Sequence, residues 1–125
     1  MRPALLAAAL ASLAAPALAR DPAVGIWQTE PDRKDLISHI AISECGPALC
    51  GRIVAAFDTQ GNPVTTPNVG KPLFWDMAPG ADGAYSGGRA WIPLLNLEAD
   101  ASMALQGERL RVQGCSSGLC ESQPW

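Results

Sequence analysis

From Val24 onward apolar side chains recur at every second position in short runs, and the spacing of an amphipathic helix is scarce. Val24 to Thr29 reads as a first strand, ended by the turn-forming Glu30-Pro31-Asp32-Arg33-Lys34. Leu36 to Ser43 and Cys50 to Phe57 read as the two arms of a hairpin. Asp58 to Lys71, broken by Gly61-Asn62-Pro63, Pro67-Asn68 and Gly70-Lys71, is expected to be a long loop, and Leu73 to Met77 a short strand or turn. Ala90 to Leu97 is apolar on both faces and contains Pro93, which predicts an edge or bent strand. Further on, Ala101, Met103 and Leu105, then Leu110 and Val112, alternate with polar or small residues around Gly107-Glu108. A two-residue loop there, with positive φ at its first position, opposes Leu105 to Leu110 and Met103 to Val112. Seven or eight such strands in one chain predict an all-β antiparallel fold, a small up-and-down β-barrel in preference to a sandwich.

The cysteines give this pattern its registers. Cys45 and Cys50 are separated by Gly-Pro-Ala-Leu, and Cys115 and Cys120 by Ser-Ser-Gly-Leu. If each pair faces across a hairpin, the first hairpin opposes Ile42 to Ile53, Ile40 to Ala55 and Ser38 to Phe57 on one side. Ser43 then faces Arg52, His39 faces Ala56 and Ala41 faces Val54 on the side that carries the cysteines. The second hairpin opposes Leu110 to Trp125 and Val112 to Gln123, with Gln113, Arg111, Ser122 and Pro124 on the cysteine side. Both registers turn the larger apolar residues inward, and a one-residue slip spoils both. Directly opposed strand positions lie within disulfide reach. The alternatives are a zinc site of four thiolates, for which both gaps sit at the edge of the usual spacing, and a redox pair, which normally shows C-x-x-C at a helix start. Disulfides at Cys45, Cys50, Cys115 and Cys120 are the preferred reading, with no metal.

The compartment supports that choice. Residues 1–19 read as a cleaved signal peptide: Met1-Arg2-Pro3 is positive, Ala4 to Leu13 is apolar save Ser12, and Ala17-Leu18-Ala19 fits signal peptidase. The apolar run is too short for a membrane anchor. Residues 20–125 are then one soluble domain, without a membrane span after signal cleavage, in the periplasm or outside a bacterial cell. The chain is 125 residues long with 9 Lys+Arg against 12 Asp+Glu, a formal net charge of -3, and no basic cluster. That balance argues against nucleic acid as a partner.

Several blocks resemble one known family. They are Gly25-Ile26-Trp27, the run Cys45-Gly46-Pro47-Ala48-Leu49-Cys50-Gly51-Arg52-Ile53-Val54, Gly87-Gly88, Leu110-Arg111-Val112-Gln113-Gly114-Cys115, Leu119-Cys120 and Gln123-Pro124-Trp125. Together these resemble the exported bacterial family called domain of unknown function 2147. The resemblance implies a calycin-like, that is lipocalin-like, barrel and an envelope location, and it brings no activity. The chain departs from the family where Trp91-Ile92-Pro93-Leu94 replaces a tyrosine and Asp-Pro after the Gly-Gly, and where no polar tail follows Trp125.

Candidate chemistry is sparse. His39, the one histidine, points outward on the register above, and a Ser43-His39-Asp35 set has no nucleophile-elbow motif to support it. Asp32 and Asp35 flank a charged turn, and Asp58-Thr59-Gln60-Gly61-Asn62 echoes a calcium loop too faintly to displace a turn. No phosphate loop or dinucleotide fingerprint occurs, so neither a cofactor nor an enzymatic activity is expected. The aromatics are either core or pocket. Trp27, Phe57, Trp75, Trp91, Met103 and Trp125 are the candidate ligand-binding residues, with Phe74-Trp75 as a rim or partner contact. The expected role is binding of a small apolar molecule or an envelope component. The alternative is a filled barrel acting structurally, or under stress, through contacts with envelope proteins.

Overall fold

A computed structural model describes Ala4 and residues 20–125; the leader expected at 1–19 lies outside the described residues. Eight antiparallel strands follow one another in chain order: β1 (Gly25–Gln28), β2 (Leu36–Cys45), β3 (Ala48–Asp58), β4 (Pro72–Pro79), β5 (Ala84–Ile92), β6 (Leu97–Gln106), β7 (Arg109–Ser116) and β8 (Leu119–Pro124). Each pairs with its neighbour in sequence, so the sheet runs β1 to β8 without a crossover and curls into a half-barrel. Among the described residues no ladder joins β8 to β1, and both strands are edges. The up-and-down order is the one the hydrophobic alternation predicts. Short strands that each bury one face have no other cover than the sheet's own concave side.

The second cysteine hairpin and the one before it take the expected registers. Cys115 opposes Cys120, Val112 opposes Gln123, and Leu110 and Trp125 exchange backbone hydrogen bonds of 3.3 and 2.7 Å. Across the Gly107-Glu108 turn, Leu105 opposes Leu110 and Met103 opposes Val112. The first hairpin differs. Its turn is Gly46-Pro47 alone, so Cys45 opposes Ala48 and Ser43 opposes Cys50, two residues away from the expected register. Gly46 takes φ +72° and Pro47 supplies a fixed negative φ, which suits a tight hairpin turn placed directly after Cys45. In the second hairpin the positive-φ pair is Ser117-Gly118, centred between the cysteines, and the cysteines therefore face each other. A two-residue slip preserves faces, so Ile40, Ile42 and Ile53 still point inward and both disulfides, Cys45–Cys50 and Cys115–Cys120, lie outward.

Farther down the first hairpin the faces do change. A bulge between His39 and Ile40 leaves Val54 unpaired: Ile40 opposes Ile53, but His39 opposes Ala55. Beyond it Ala56, 4% exposed, takes the inward place opposite Ser38, which keeps its side, and Ala55 and Phe57 are turned off the expected side. Proline corrects a third expectation. Pro93 does not bend a strand across 90–97; it ends β5 at Ile92, and Pro93 to Asn96 form the turn into β6, with Leu95 N–H donating to Ile92 O at 3.2 Å.

The core fills the end of the half-barrel where β1 begins. Ile40, Ile42, Leu49, Ile53, Met77, Tyr85, Met103 and Leu110 pack there with Ala23, which is fully buried just before β1. Asp21 fastens that segment: its Oδ1 accepts from Ala23 N–H at 2.8 Å and from Tyr85 O–H at 2.6 Å. Trp27 donates its indole N–H to Ala23 O at 2.8 Å. Gly51 lies flat on the Phe74 ring, where a Cβ would overlap ring atoms, and so allows Phe74 to reach 1% exposure. Gly88 plays the same part beneath Met77, whose sulfur is 2.8 Å from the position of a Cβ.

Candidate ligand cavity

Toward the opposite end, the concave face is lined by small residues, and this opens a cavity of about 540 Å³. Of the row Gly88, Ala101, Gly114 and Glu121, each opposing the next, Gly114 and Glu121 line it, while Ala101 is core and Met77 covers Gly88. A neighbouring row pairs Ala90 with Ala99. Large side chains would fill this space, as Ile and Leu do at the other end; glycine and alanine leave it open. The walls are apolar: Phe74, Ile92, Leu97, Val112 and Trp125 line it, with Leu94, Leu95 and Leu119 at 56%, 62% and 78% exposure. Leu94 and Leu95 stand in the β5–β6 turn and Leu119 opens β8 after the β7–β8 turn; these turns share one end of an up-and-down sheet, and the three leucines mark the mouth.

The polar residues of the lining are Gln113, Ser116, Ser117, Ser122 and Gln123, beside two charged ones. Trp91 donates its indole N–H to Asn96 Oδ1 at 3.1 Å and lies under Lys71 Nζ, 5.0 Å from the ring centroid. Trp125 donates to Gln123 Oε1 at 3.0 Å, and its ring stands 6.3 Å from that of Phe74. The charged residues of the lining are Arg33, from the β1–β2 loop, and Glu121 of β8.

Of the six residues expected to bind a ligand, the structure brings Trp91 and Trp125 to this cavity. Met103, 4% exposed, belongs to the packed core, and Trp27 lines a separate cleft with Val24 and Gly107. Phe57 is outside the core and the cavity; the β3 bulge sets it against His39 on the outer face, ring centroids 4.6 Å apart. Trp75 opposes Arg89, one step out of phase with buried Phe74, and does not line the cavity. Phe74 is a core residue, not the rim contact expected of the Phe74-Trp75 pair. Arg33, Gly114 and Glu121 were not singled out from sequence. The signal for two of them was present: the register that opposes Val112 to Gln123 on the inner side also opposes Gly114 to Glu121 there.

The other candidates are His39 on β2 and two aspartates built into turns. His39 Nε2 lies 3.3 Å from Gln28 Oε1, and its recorded polar partner is neither Ser43 nor Asp35. Asp32 Oδ1 accepts from Lys34 and Leu36 N–H at 2.8 and 3.0 Å. Asp58 accepts from Gln60 and Asn62 N–H, both at 2.9 Å, and from Asn62 Nδ2 at 3.0 Å. These bonds, the Asn62 backbone first, hold the Asp58 carboxyl below the usual carboxylate range. Among the described residues no three His, Cys, Asp or Glu side chains converge as a metal site would require.

The chain belongs to the family described as "Uncharacterized protein conserved in bacteria (DUF2147)", whose model matches residues 25–125. No curated protein matches it. Its fold is similar to that of protein HP1028 from the human pathogen Helicobacter pylori, which belongs to the lipocalin family. The TM-score is 0.66 at 14% sequence identity, with 82% of this chain and 80% of that one covered. That likeness establishes a lipocalin-like β fold.

Proposed function

Starting from membership of that family, we propose that the protein is a non-enzymatic carrier, working outside the bacterial cytoplasm, that binds a small apolar molecule on the concave face of its sheet. The observation that carries this reading is the cavity itself: about 540 Å³, walled by Phe74, Ile92, Leu97, Val112 and Trp125. Pockets for small organic ligands span about 300–1,000 Å³ and are mostly apolar with a few placed polar groups. A half-barrel with spare inner volume keeps such a surface dry only when something occupies it, and the gain on burying apolar area is the driving force. Two outward-facing disulfides support an oxidising compartment, the periplasm or beyond.

Gly114 provides the test. A Cβ there would meet Ala99 Cβ at 3.9 Å and Asp100 O at 4.0 Å, ordinary contacts, and since Gly114 lines the cavity a longer side chain is expected to extend into it. Nile red is expected to bind saturably to the protein with an emission blue shift. Gly114→Leu should weaken that binding roughly tenfold or more at an unchanged melting temperature. Absence of saturable binding, or a Gly114→Leu variant that binds the dye as before, favours the filled barrel acting through surface contacts.

A further inference from the structure

We propose that Glu121 receives the polar end of the ligand, and that the ligand class is a small amphiphile with a primary amine on an apolar chain. This rests on the cavity reading above and adds the chemistry of one end of the occupant. Along the inner side of β8, Leu119, Glu121, Gln123 and Trp125 succeed one another from the mouth inward. Glu121 therefore stands one step inside the rim, while the apolar surface of Val112, Phe74 and Trp125 lies deeper. An occupant is oriented head outward and chain inward.

The carboxylate is free for such a head group. The indole N–H groups of the two tryptophans are taken by Asn96 and Gln123, and the ion pairs among the described residues, Arg89 with Glu98 and Asp100, leave Glu121 out. Its neighbour across the ladder is Gly114, so no side chain shields it on that side. A carboxylate at the mouth of an apolar cavity accepts strongly from an ammonium, which offers three N–H donors. Arg33 is the competing anchor and would select an anionic head instead. It belongs to a loop rather than to a ladder, whereas strand pairing fixes where the Glu121 backbone stands. An anionic ligand would also meet the negative charge of Glu121.

Three probes of one chain length separate these cases: octylamine, octanol and octanoate, titrated at pH 7 by displacement of Nile red. Octylamine is expected to bind about threefold more tightly than octanol, and octanoate more weakly than either. Glu121→Gln should bring octylamine down to the octanol level while octanol binding and melting temperature stay the same. Equal displacement by all three probes, or no displacement of a dye that does bind, overturns the assignment of Glu121 and leaves the cavity reading standing. Tightest binding by octanoate, lost in Arg33→Gln, overturns it in favour of an anionic head group. Failure of the dye and every probe to bind overturns both.

Discussion

Tyr85 shows how a single residue reports on the packed end of the molecule. Its ring is 4% exposed, and its hydroxyl donates to Asp21, the residue that fastens buried Ala23 against the core. Burial first, and then the hydrogen bond and charge of Asp21, push the phenol up to about 12 from its ordinary 10.0. The native state thus keeps a proton that the unfolded chain releases near pH 10. Stability from this group is complete below that pH and falls as pH rises through about 12. Tyr85 is the one tyrosine of the chain, so phenolate absorbance follows it alone. A single native-state titration well above 10, with the urea midpoint dropping over the same range and Tyr85→Phe removing that drop, is the expected result. Titration at the ordinary value would mean that Asp21 and Ala23 do not hold this end closed. Nothing in the sequence joined Asp21 to Tyr85: they are 64 positions apart, and their contact exists only once the sheet has curled.

At the scale of elements, the two cysteine hairpins look alike in sequence and fold differently. In Cys-Ser-Ser-Gly-Leu-Cys the Ser117-Gly118 turn is central and the cysteines oppose; in Cys-Gly-Pro-Ala-Leu-Cys the Gly46-Pro47 turn is displaced and they do not. The position of Gly-Pro was readable, since glycine supplies the positive φ at the first turn position and proline the fixed negative φ at the second. The bulge at His39/Ile40 was not readable, because a run such as Ile53-Val54-Ala55-Ala56-Phe57 can present either parity to the core. That is why Phe57 was misplaced and Trp125 was not. The staples also differ in what they hold. β8 has one neighbouring strand, carries Glu121 and leads directly into Trp125, whereas β2 and β3 each have two. Each disulfide closes a short loop worth about 2 kcal/mol. Replacing Cys115 and Cys120 by serine should lower stability by that amount and weaken Nile red binding as well. Replacing Cys45 and Cys50 should lower stability while dye binding is retained. Equal loss of dye binding in both variants would show that the cavity depends on global stability rather than on the β7–β8 hairpin.

For the whole molecule, the division between a filled end and an open end decides where it is soft. Ile40, Ile42, Leu49, Met77, Met103 and Leu110 are each 4% exposed or less, and they lie on strands paired on both sides. β8 is exposed at all six positions and paired on one side, with the cavity beneath it. Local opening is easiest where buried contacts are few and backbone bonds meet water, so β8 should exchange its amide hydrogens at least about tenfold faster than β3. An occupant resting on Trp125 and Glu121 binds the closed hairpin better than the opened one, and linkage then slows exchange there as its concentration rises. Hydrogen exchange with and without saturating Nile red reads both effects. Dye-dependent protection confined to β7, β8 and the β5–β6 turn places the occupant on the concave face. Strong protection of β8 in the absence of dye would instead mean that its free edge is paired with another chain. The open sheet would then be one half of an assembly, its two edges closed by a partner's strands rather than by each other.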